Sequence, residues 1–270
     1  MTLDDWRSYD SVASLYDRVR APMHEPPARD LVAAIGIPPG ARVLDVGTGP
    51  GVAAVAAREA AGPDGLVVGV DPSFEMLRLA AARRFGFVVA AAAIDLPFRD
   101  ASFDAVVASF VLFFFTRYET AMFDMLRVLR PGGRFGATTW GGGPEDEFRR
   151  VWRETAETFV GKDLMRSAAV KAVPWEERFS DPRRLEEALR DAGLRSTRVE
   201  HHEYRFTLSQ ADWLAGRETS AVGRFLRNSL GERLWDVFDE RVRSEFHQRF
   251  PDPVGDTSDV LIAVGTKPPA

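Results

Sequence analysis

The amino-acid sequence predicts an α/β fold in which helices connect the strands of a mostly parallel sheet. Between about Pro38 and Trp140, apolar runs typical of strands alternate with patterns typical of helices. A turn with three glycines at alternate positions, from Gly47 to Gly51, follows the first apolar run. The chain has 270 residues, of which 45% are hydrophobic, so it can bury one sizeable core. Together these observations predict one domain that binds a ligand where its strands end.

The predicted strands and helices alternate in the order that crossover connections require. Each predicted strand is a short run dominated by Val, Ala, Leu or Phe, and each predicted helix has apolar residues at helical spacing. The run LRPGG at 129–133 predicts the end of the last helix and a turn before the fifth strand. The five predicted strands are Arg42–Val46, Leu66–Val70, Phe87–Ala91, Ala105–Ser109 and Arg134–Thr139. The three predicted helices are Val52–Ala61, Phe74–Ala82 and Glu119–Leu129.

After Trp140 the sequence changes to long amphipathic stretches rich in Arg, Glu and aromatic residues. A helix is predicted after the capping candidates Ser180 and Asp181, with Pro182 in its first turn and Gly193 at its end. The runs STRVEHHEYRF and DVLIAVGTK predict two late strands. We expect these strands to pair as an antiparallel hairpin whose long connection holds helices near residues 209–250.

Composition and charge argue against several classes of function. The 35 basic and 40 acidic residues give a net charge of −5 and are interspersed, so a nucleic-acid partner is not expected. The absence of cysteine excludes disulfides, thiolate nucleophiles and thiolate metal sites. The acidic start MTLDDW lacks the layout of a signal peptide, and the longest apolar run, Ala105–Phe115, is too short to span a bilayer. We expect a cytoplasmic monomer or homodimer.

Two acidic residues accompany the glycine turn and indicate the charge of its ligand. Asp45 lies two positions before the first glycine, and Asp71 ends the second predicted strand about 20 residues beyond the turn, where a ribose-binding carboxylate belongs. The N–H groups of such a turn suit a phosphate, but a nearby carboxylate would repel a pyrophosphate. The same carboxylate would stabilise a ligand with ammonium and sulfonium charges. The turn therefore favours a cationic ligand.

Four ordered motifs resemble those of the class I S-adenosylmethionine-dependent methyltransferases. They are VLDVGTGPG, VVGVDPSFEML, AIDLPFRDASFDAVVASFVL and LRVLRPGGRF, and they cover about Pro38–Trp140. The N-terminal SYDSVASLYD is similar to the lead segment of the ubiquinone and menaquinone C-methyltransferase group and its small-molecule relatives. The resemblance implies a Rossmann-like, seven-stranded, mostly parallel sheet of order 3-2-1-4-5-7-6 with helical lid insertions, whose last two strands are the late runs.

The resemblance also implies a role for individual residues at the cofactor S-adenosylmethionine. Gly47 and Gly49 would line its methionine portion, and Asp45 would hold its amino group. Asp71 would accept hydrogen bonds from both ribose hydroxyls, and Met76 would pack on the adenine.

Three further residues complete the implied cofactor site. Asp95 would accept a hydrogen bond from the adenine amino group, with Ile94 beside the ring, and the Ser109 carbonyl would face the methionine ammonium. The full set expected at the cofactor is Tyr16, Asp45, Gly47, Thr48, Gly49, Asp71, Pro72, Met76, Ile94, Asp95 and Ser109.

The chain is accordingly divided as a single methyltransferase domain, residues 1–270. We expect N-terminal lid helices at 1–26, a cofactor-binding core at 38–140 and a helical cap at 141–177 and 209–256. The last two strands are expected at 194–208 and 257–267.

The candidate catalytic residues are Tyr16 and His24, because removing a proton from a phenol or enol acceptor needs a base. Tyr16 shares one face of a predicted N-terminal helix with Trp6, Tyr9 and Ala13, a pattern that also fits simple packing. His24 precedes the sequence EPP at a predicted helix start and is alternatively a surface residue.

Aromatic residues after the fourth and fifth strands predict the acceptor pocket. We expect Phe113 to line it and at least two rings of the run at 113–115 to pack in the core. Trp140 ends the fifth strand at the same edge and is either a pocket wall or a structural plug. No metal site is predicted, because His201 and His202 are consecutive on a strand and point to opposite faces.

These residues predict methyl transfer, by in-line displacement, to oxygen or carbon of a small, largely apolar metabolite such as a quinone precursor or polyketide. Residues 109–112 lack the Asn-Pro-Pro-Tyr type of tetrapeptide expected of enzymes that methylate amino groups of DNA bases or glutamine. Two alternatives stay open. One is a protein that binds S-adenosylmethionine and promotes cyclisation without methyl transfer, and the other is an NAD(P)-dependent oxidoreductase.

Overall fold

One sheet of seven strands organises the chain in a computed structural model that describes residues 8–143 and 145–269. The strands are β1 (Arg42–Val46), β2 (Leu66–Asp71), β3 (Phe87–Ala90), β4 (Phe103–Ser109), β5 (Leu129–Trp140), β6 (Arg195–Leu208) and β7 (Val254–Thr266). Their order in the sheet is β3-β2-β1-β4-β5-β7-β6, which confirms the predicted order. The first five strands are parallel, and β7 runs antiparallel to β5 and β6.

Helices cover the sheet and extend beyond it. They are α1 (Ala13–Val19), α2 (Ala21–Ile35), α3 (Val52–Ala61), α4 (Phe74–Ala82), α5 (Tyr118–Val128), α6 (Glu147–Val160), α7 (Lys162–Ala172), α8 (Glu176–Phe179), α9 (Pro182–Asp191), α10 (Gln210–Thr219) and α11 (Ala221–Arg249). The last of these, α11, is kinked at Gly231, whose backbone is not helical. The helices α3 and α4 have the predicted bounds. Ser73 caps α4 by accepting a hydrogen bond from the Met76 N–H, and Asp181 caps α9 in the same manner. Within the described residues, no helix is long and apolar enough to cross a membrane.

The fifth strand begins at Leu129, whereas the sequence predicted a turn at 129–133 and a strand from Arg134. Leu129 already pairs with Phe103 of β4. Gly132 donates its N–H to the Lys267 carbonyl at 2.9 Å, and Lys267 returns an N–H to the Gly133 carbonyl. The C-terminal segment therefore supplies hydrogen bonds to this Pro-Gly-Gly run, which leaves the ladder with β4 between Leu129 and Arg134 and has Gly132 at φ +74°.

The N-terminal segment is less regular than the helix predicted to carry the stripe from Trp6 to Tyr16. Tyr9 precedes a 3-10 turn at Asp10–Val12, and α1 begins only at Ala13. Tyr9 and Tyr16 still meet, with ring centroids 5.7 Å apart. Trp6, the first member of the predicted stripe, lies outside the described residues. The next helix, α2, continues through two prolines to Ile35, nine residues past the predicted end of the lid.

The last two strands form the predicted hairpin. Register runs from Arg198 opposite Val264 to Leu208 opposite Val254, and the long connection carries α10 and α11. These helices pack with α6 and α7 around a second hydrophobic core, separate from the core of the sheet. Its buried members are Val151, Trp152, Ala156, Met165, Trp213, Leu214, Leu226, Trp235, Phe238, Val242, Phe246 and Val254.

Candidate functional site

The glycine turn after β1 brings backbone close to the segment that follows β4. Gly47 has φ +69°, and a Cβ built on it would lie 2.4 Å from Val111 Cγ2, so neither its conformation nor its surroundings tolerate a side chain. Gly49 has φ +52°, but no heavy atom lies within 4 Å of a Cβ built on it. That open space belongs to a cavity that Gly49 lines. Backbone at this turn is therefore accessible to a ligand.

Two carboxylates flank the turn, Asp45 buried and Asp71 half-buried. Asp45 accepts a hydrogen bond from Thr48 Oγ1 at 2.7 Å, while its Oδ1 is buried without a partner. Burial raises the pKa of Asp45 to about 7. Asp71 accepts hydrogen bonds from the N–H groups of Gly49 and Ser73, each at 2.9 Å, and burial raises its pKa as well. Buried acceptors of this kind normally have partners, so the Asp45 oxygen indicates a missing donor.

A cavity of about 600 Å³, here called the loop cavity, opens beside this turn. It brings together most of the residues predicted at the cofactor. Those that line it are Tyr16, Gly47, Gly49, Asp71, Pro72, Met76, Ile94 and Ser109. Asp45 and Thr48 are buried behind the turn. Asp95 follows Ile94 but is exposed and does not line the cavity, so its predicted contact with an adenine amino group gains no support from this arrangement.

A second cavity of about 420 Å³, here called the aromatic cavity, lies against the first. Phe113 and Trp140, the residues predicted at the acceptor, both line it. All three rings at 113–115 pack in or against the core of the sheet, and Phe114 and Phe115 also line the loop cavity. The residues common to both cavities are Tyr9, Tyr16, Phe110, Phe114 and Ala221.

Tyr16 and His24 form a hydrogen-bonded pair at this common wall. The Tyr16 hydroxyl lies 3.0 Å from His24 Nδ1, and His24 Nε2 is buried without a partner. The alternative prediction of a surface His24 was wrong, since its ring stacks on Phe110 at 4.7 Å and lies 5.8 Å from Trp140. Burial, reinforced by the charge of Arg20, lowers the pKa of His24 to about 3, and burial raises that of Tyr16. Both groups are therefore neutral near pH 7.

Phe110 is a site residue that sequence reasoning missed. It follows the last residue of β4 and has φ +52°, an uncommon conformation for an aromatic residue. Thr138 of β5 holds it there, because both the carbonyl and the hydroxyl of Thr138 accept from the Phe110 N–H. Its position directly after a strand, at the ligand-binding edge, is a signal that could have identified it.

The charged residues of the second half were also missed. Arg224 of α11 is buried, lines the loop cavity and has its guanidinium 3.8 Å from the centre of the Tyr9 ring. Arg217 of α10 lines the aromatic cavity. Both lie in amphipathic stretches dense in arginine, where no local signal separates a solvated residue from an inward one.

The histidine pair on β6 has other partners. His201 Nε2 lies 2.9 Å from Asp259, and His202 lies 3.5 Å from Glu200. Across residues 8–143 and 145–269, no three His, Asp or Glu side chains are arranged to hold a metal ion.

The arrangement fits a ligand with an ammonium group and vicinal hydroxyls. Asp71 retains free lone pairs at the edge of the cavity, and Gly49 leaves the space open, while Asp45 Oδ1 lies without a partner behind the turn and does not line the cavity. A cationic group near both carboxylates would favour their charged forms. These are the polar features of S-adenosylmethionine.

Comparisons with known proteins show which family the chain resembles. The methyltransferase domain family matches residues 44–137. Nocamycin O-methyltransferase of Saccharothrix syringae is 31% identical over 223 residues, 77% of this chain and 78% of that protein. The ubiquinone/menaquinone biosynthesis C-methyltransferase UbiE of Cupriavidus taiwanensis is 33% identical over 176 residues, 62% and 67% of the two chains.

A solved structure shows the same fold. Phosphoethanolamine N-methyltransferase 2 of Haemonchus contortus, determined with phosphomonomethylethanolamine and S-adenosylhomocysteine, superposes with a TM-score of 0.59 at 18% identity. The similarity covers 99% of this chain and 60% of that one. With the family model and the curated relatives, the chain belongs to the class I S-adenosylmethionine-dependent methyltransferases, and its cofactor is S-adenosylmethionine.

Proposed function

We propose that this methyltransferase acts on an oxygen or carbon atom of a small, largely apolar metabolite. The observation that carries the proposal is the wall common to the two cavities, because a methyl donor and its acceptor must meet at near-contact distance. The relatives support it, since one is named an O-methyltransferase and the other a C-methyltransferase of quinone biosynthesis.

The loop cavity would hold the cofactor. Asp45 would take the ammonium group, and Asp71 would accept from the ribose hydroxyls. Met76 and Ile94 would border the adenine, because both line the same cavity beyond Pro72. When bound, S-adenosylmethionine supplies an electrophilic methyl group on a positively charged sulfur.

The aromatic cavity would hold the acceptor. Phe110 and Trp140, with ring centroids 4.3 Å apart, would pack on its apolar body. His24 stacks on Phe110, and its unpartnered Nε2 would form a hydrogen bond with an acceptor hydroxyl. Tyr16 would hold the imidazole through its 3.0 Å contact with Nδ1. With Nδ1–H donating to the Tyr16 hydroxyl, Nε2 would keep its lone pair, orient the acceptor and receive its proton.

The direct test uses S-adenosylmethionine labelled in the methyl group with a panel of phenols and enols. Labelled product together with S-adenosylhomocysteine supports the proposal. Consumption of a substrate without S-adenosylhomocysteine would instead identify the cyclisation alternative. If no panel member is labelled although the protein binds the cofactor, the proposed acceptor class is wrong.

Binding of S-adenosylmethionine should depend on pH through Asp45. The fold holds a proton on this carboxyl up to a pKa of about 7, so below that value the cofactor ammonium meets a neutral partner. We expect affinity to be about tenfold weaker at about pH 5.5 than at about pH 7.5. Asp45→Asn should bind weakly at both values, and the exposed Asp64→Asn should behave as the parent does. Calorimetric titration checks this, and equal affinity of the parent protein at both values would contradict it.

A further inference from the structure

The aromatic cavity contains more charge than an apolar acceptor requires. Several carboxylates line it, but most have partners among the described residues. These pairs are Asp212 with Arg18 at 2.6 Å, Asp256 with Arg149 at 2.8 Å, Asp259 with His201 at 2.9 Å and Glu145 with Arg153 at 3.0 Å. Within residues 8–143 and 145–269, the lining residues Arg20, Arg217 and Glu176 have charged side chains without an ion pair in the structure.

Arg217 is the most unusual of the three. Its Nε is buried without a hydrogen-bond partner, and its guanidinium carbon lies 4.6 Å from the centre of the Trp152 ring. Burial, together with the charges of Arg20 and Arg149, lowers its pKa to about 10, while Glu176 opposes that shift. A buried N–H of a cation without a partner is unfavourable unless a ligand supplies an acceptor.

Arg20, from the N-terminal part of the sequence, lines the same aromatic cavity. It follows α1, and its guanidinium carbon lies 5.8 Å from the centre of the Trp140 ring. A Cβ built on Gly216, the residue before Arg217, would lie 3.3 Å from Arg20 Cδ. The Arg20 side chain therefore packs against α10 at Gly216, beside Arg217. Glu176 offsets them only in part, because burial raises its own pKa.

These two arginines are separate from the cofactor. Neither lines the loop cavity, where Arg117, Lys171 and Arg224 are the cationic residues. A negative group that meets Arg20 and Arg217 must therefore belong to the molecule in the aromatic cavity.

We propose that Arg217 and Arg20 bind a carboxylate of the methyl acceptor, which has an apolar ring body on Phe110 and Trp140. The inference rests on the proposed function and narrows its substrate class. A planar guanidinium presents paired donors that match a carboxylate, and such charge-assisted bonds are strong.

The test compares an acid with its neutral analogue, 2-naphthoate and 2-naphthamide, on the full chain saturated with S-adenosylhomocysteine. Calorimetry should show 2-naphthoate binding at least about tenfold more tightly. Arg217→Gln should abolish that preference and leave 2-naphthamide unchanged, whereas Arg217→Lys, which keeps the charge, should retain part of it. Arg183→Gln removes the same charge from a side chain that is 89% exposed, and it should change neither affinity.

A parent protein that does not prefer 2-naphthoate, or an Arg217→Gln variant that keeps the preference, would overturn the inference. If Arg217→Gln does not fold, Arg20→Gln serves as the second variant and should lose the preference as well. The experiment measures binding without methyl transfer. Failure of the carboxylate site is therefore distinguishable from failure of the proposed reaction, which the labelled-methyl assay reports.

Discussion

Asp71→Ala should weaken S-adenosylmethionine binding about 100-fold. A carboxylate that accepts two hydroxyl hydrogen bonds gains roughly 1.5–3 kcal/mol from each, and about 2.7 kcal/mol corresponds to 100-fold. Asp71 also accepts from the Gly49 N–H at 2.9 Å, so its loss loosens the turn that borders the cavity. Calorimetric titration of the folded variant measures the effect.

Two companion variants separate charge from turn geometry. Asp71→Asn keeps an oxygen that can accept from the Gly49 N–H, so its affinity should lie between those of the parent and the alanine variant. Asp64→Ala, at an exposed turn before β2, should bind normally. If Asp71→Ala binds within about threefold of the parent, its role is to support the start of α4 through the Ser73 N–H and not to hold the ribose.

His24→Asn should lower kcat about 100-fold and leave cofactor affinity nearly unchanged. General-base contributions range from about 10² to 10⁴, and the low pKa of His24, about 3, places it at the weaker end of that range. Asparagine can retain the contact with Tyr16 while it removes the ring nitrogen Nε2. Steady-state rates and a separate calorimetric titration measure the two quantities.

The pH profile and matched variants test the role of His24 further. Because the fold keeps this imidazole neutral, kcat at saturating cofactor should show no histidine titration near pH 6.5. Tyr16→Phe should also reduce kcat, since the ring would lose its 3.0 Å support, whereas His247→Asn on the exposed face of α11 should have no effect. A His24→Asn variant with nearly the parent kcat would rule out a catalytic role for this residue.

The sheet core was predictable in detail because its signals are local. The strand Arg42–Val46 and the helices Val52–Ala61 and Phe74–Ala82 have the predicted bounds, since each combines apolar periodicity with a glycine, serine or proline at its ends. The run at 129–133 was predicted as a helix end and a turn, and α5 does end at Val128. The hydrogen bonds that join this run to Lys267 were not predictable, because Lys267 lies more than a hundred residues away in sequence.

The residues of the candidate site also differ in whether local sequence signals could identify them. Gly47, Gly49 and Asp71 were identified from spacing, and the structure brings them to one cavity. His24 and Phe110 were misjudged or missed, because burial of a histidine and a positive φ at a strand end arise from packing between segments.

By itself the sequence determined that the chain is a wound α/β methyltransferase with two carboxylates beside a glycine turn. Those features depend on residues close together in sequence, whose conformations follow from short-range sterics and hydrogen bonding. Only the tertiary structure decided which side chains of the helical second half enter the aromatic cavity. Arg20 and Arg217 show the reason, because they become neighbours only when α1 and α10 pack together, and no local pattern records that contact.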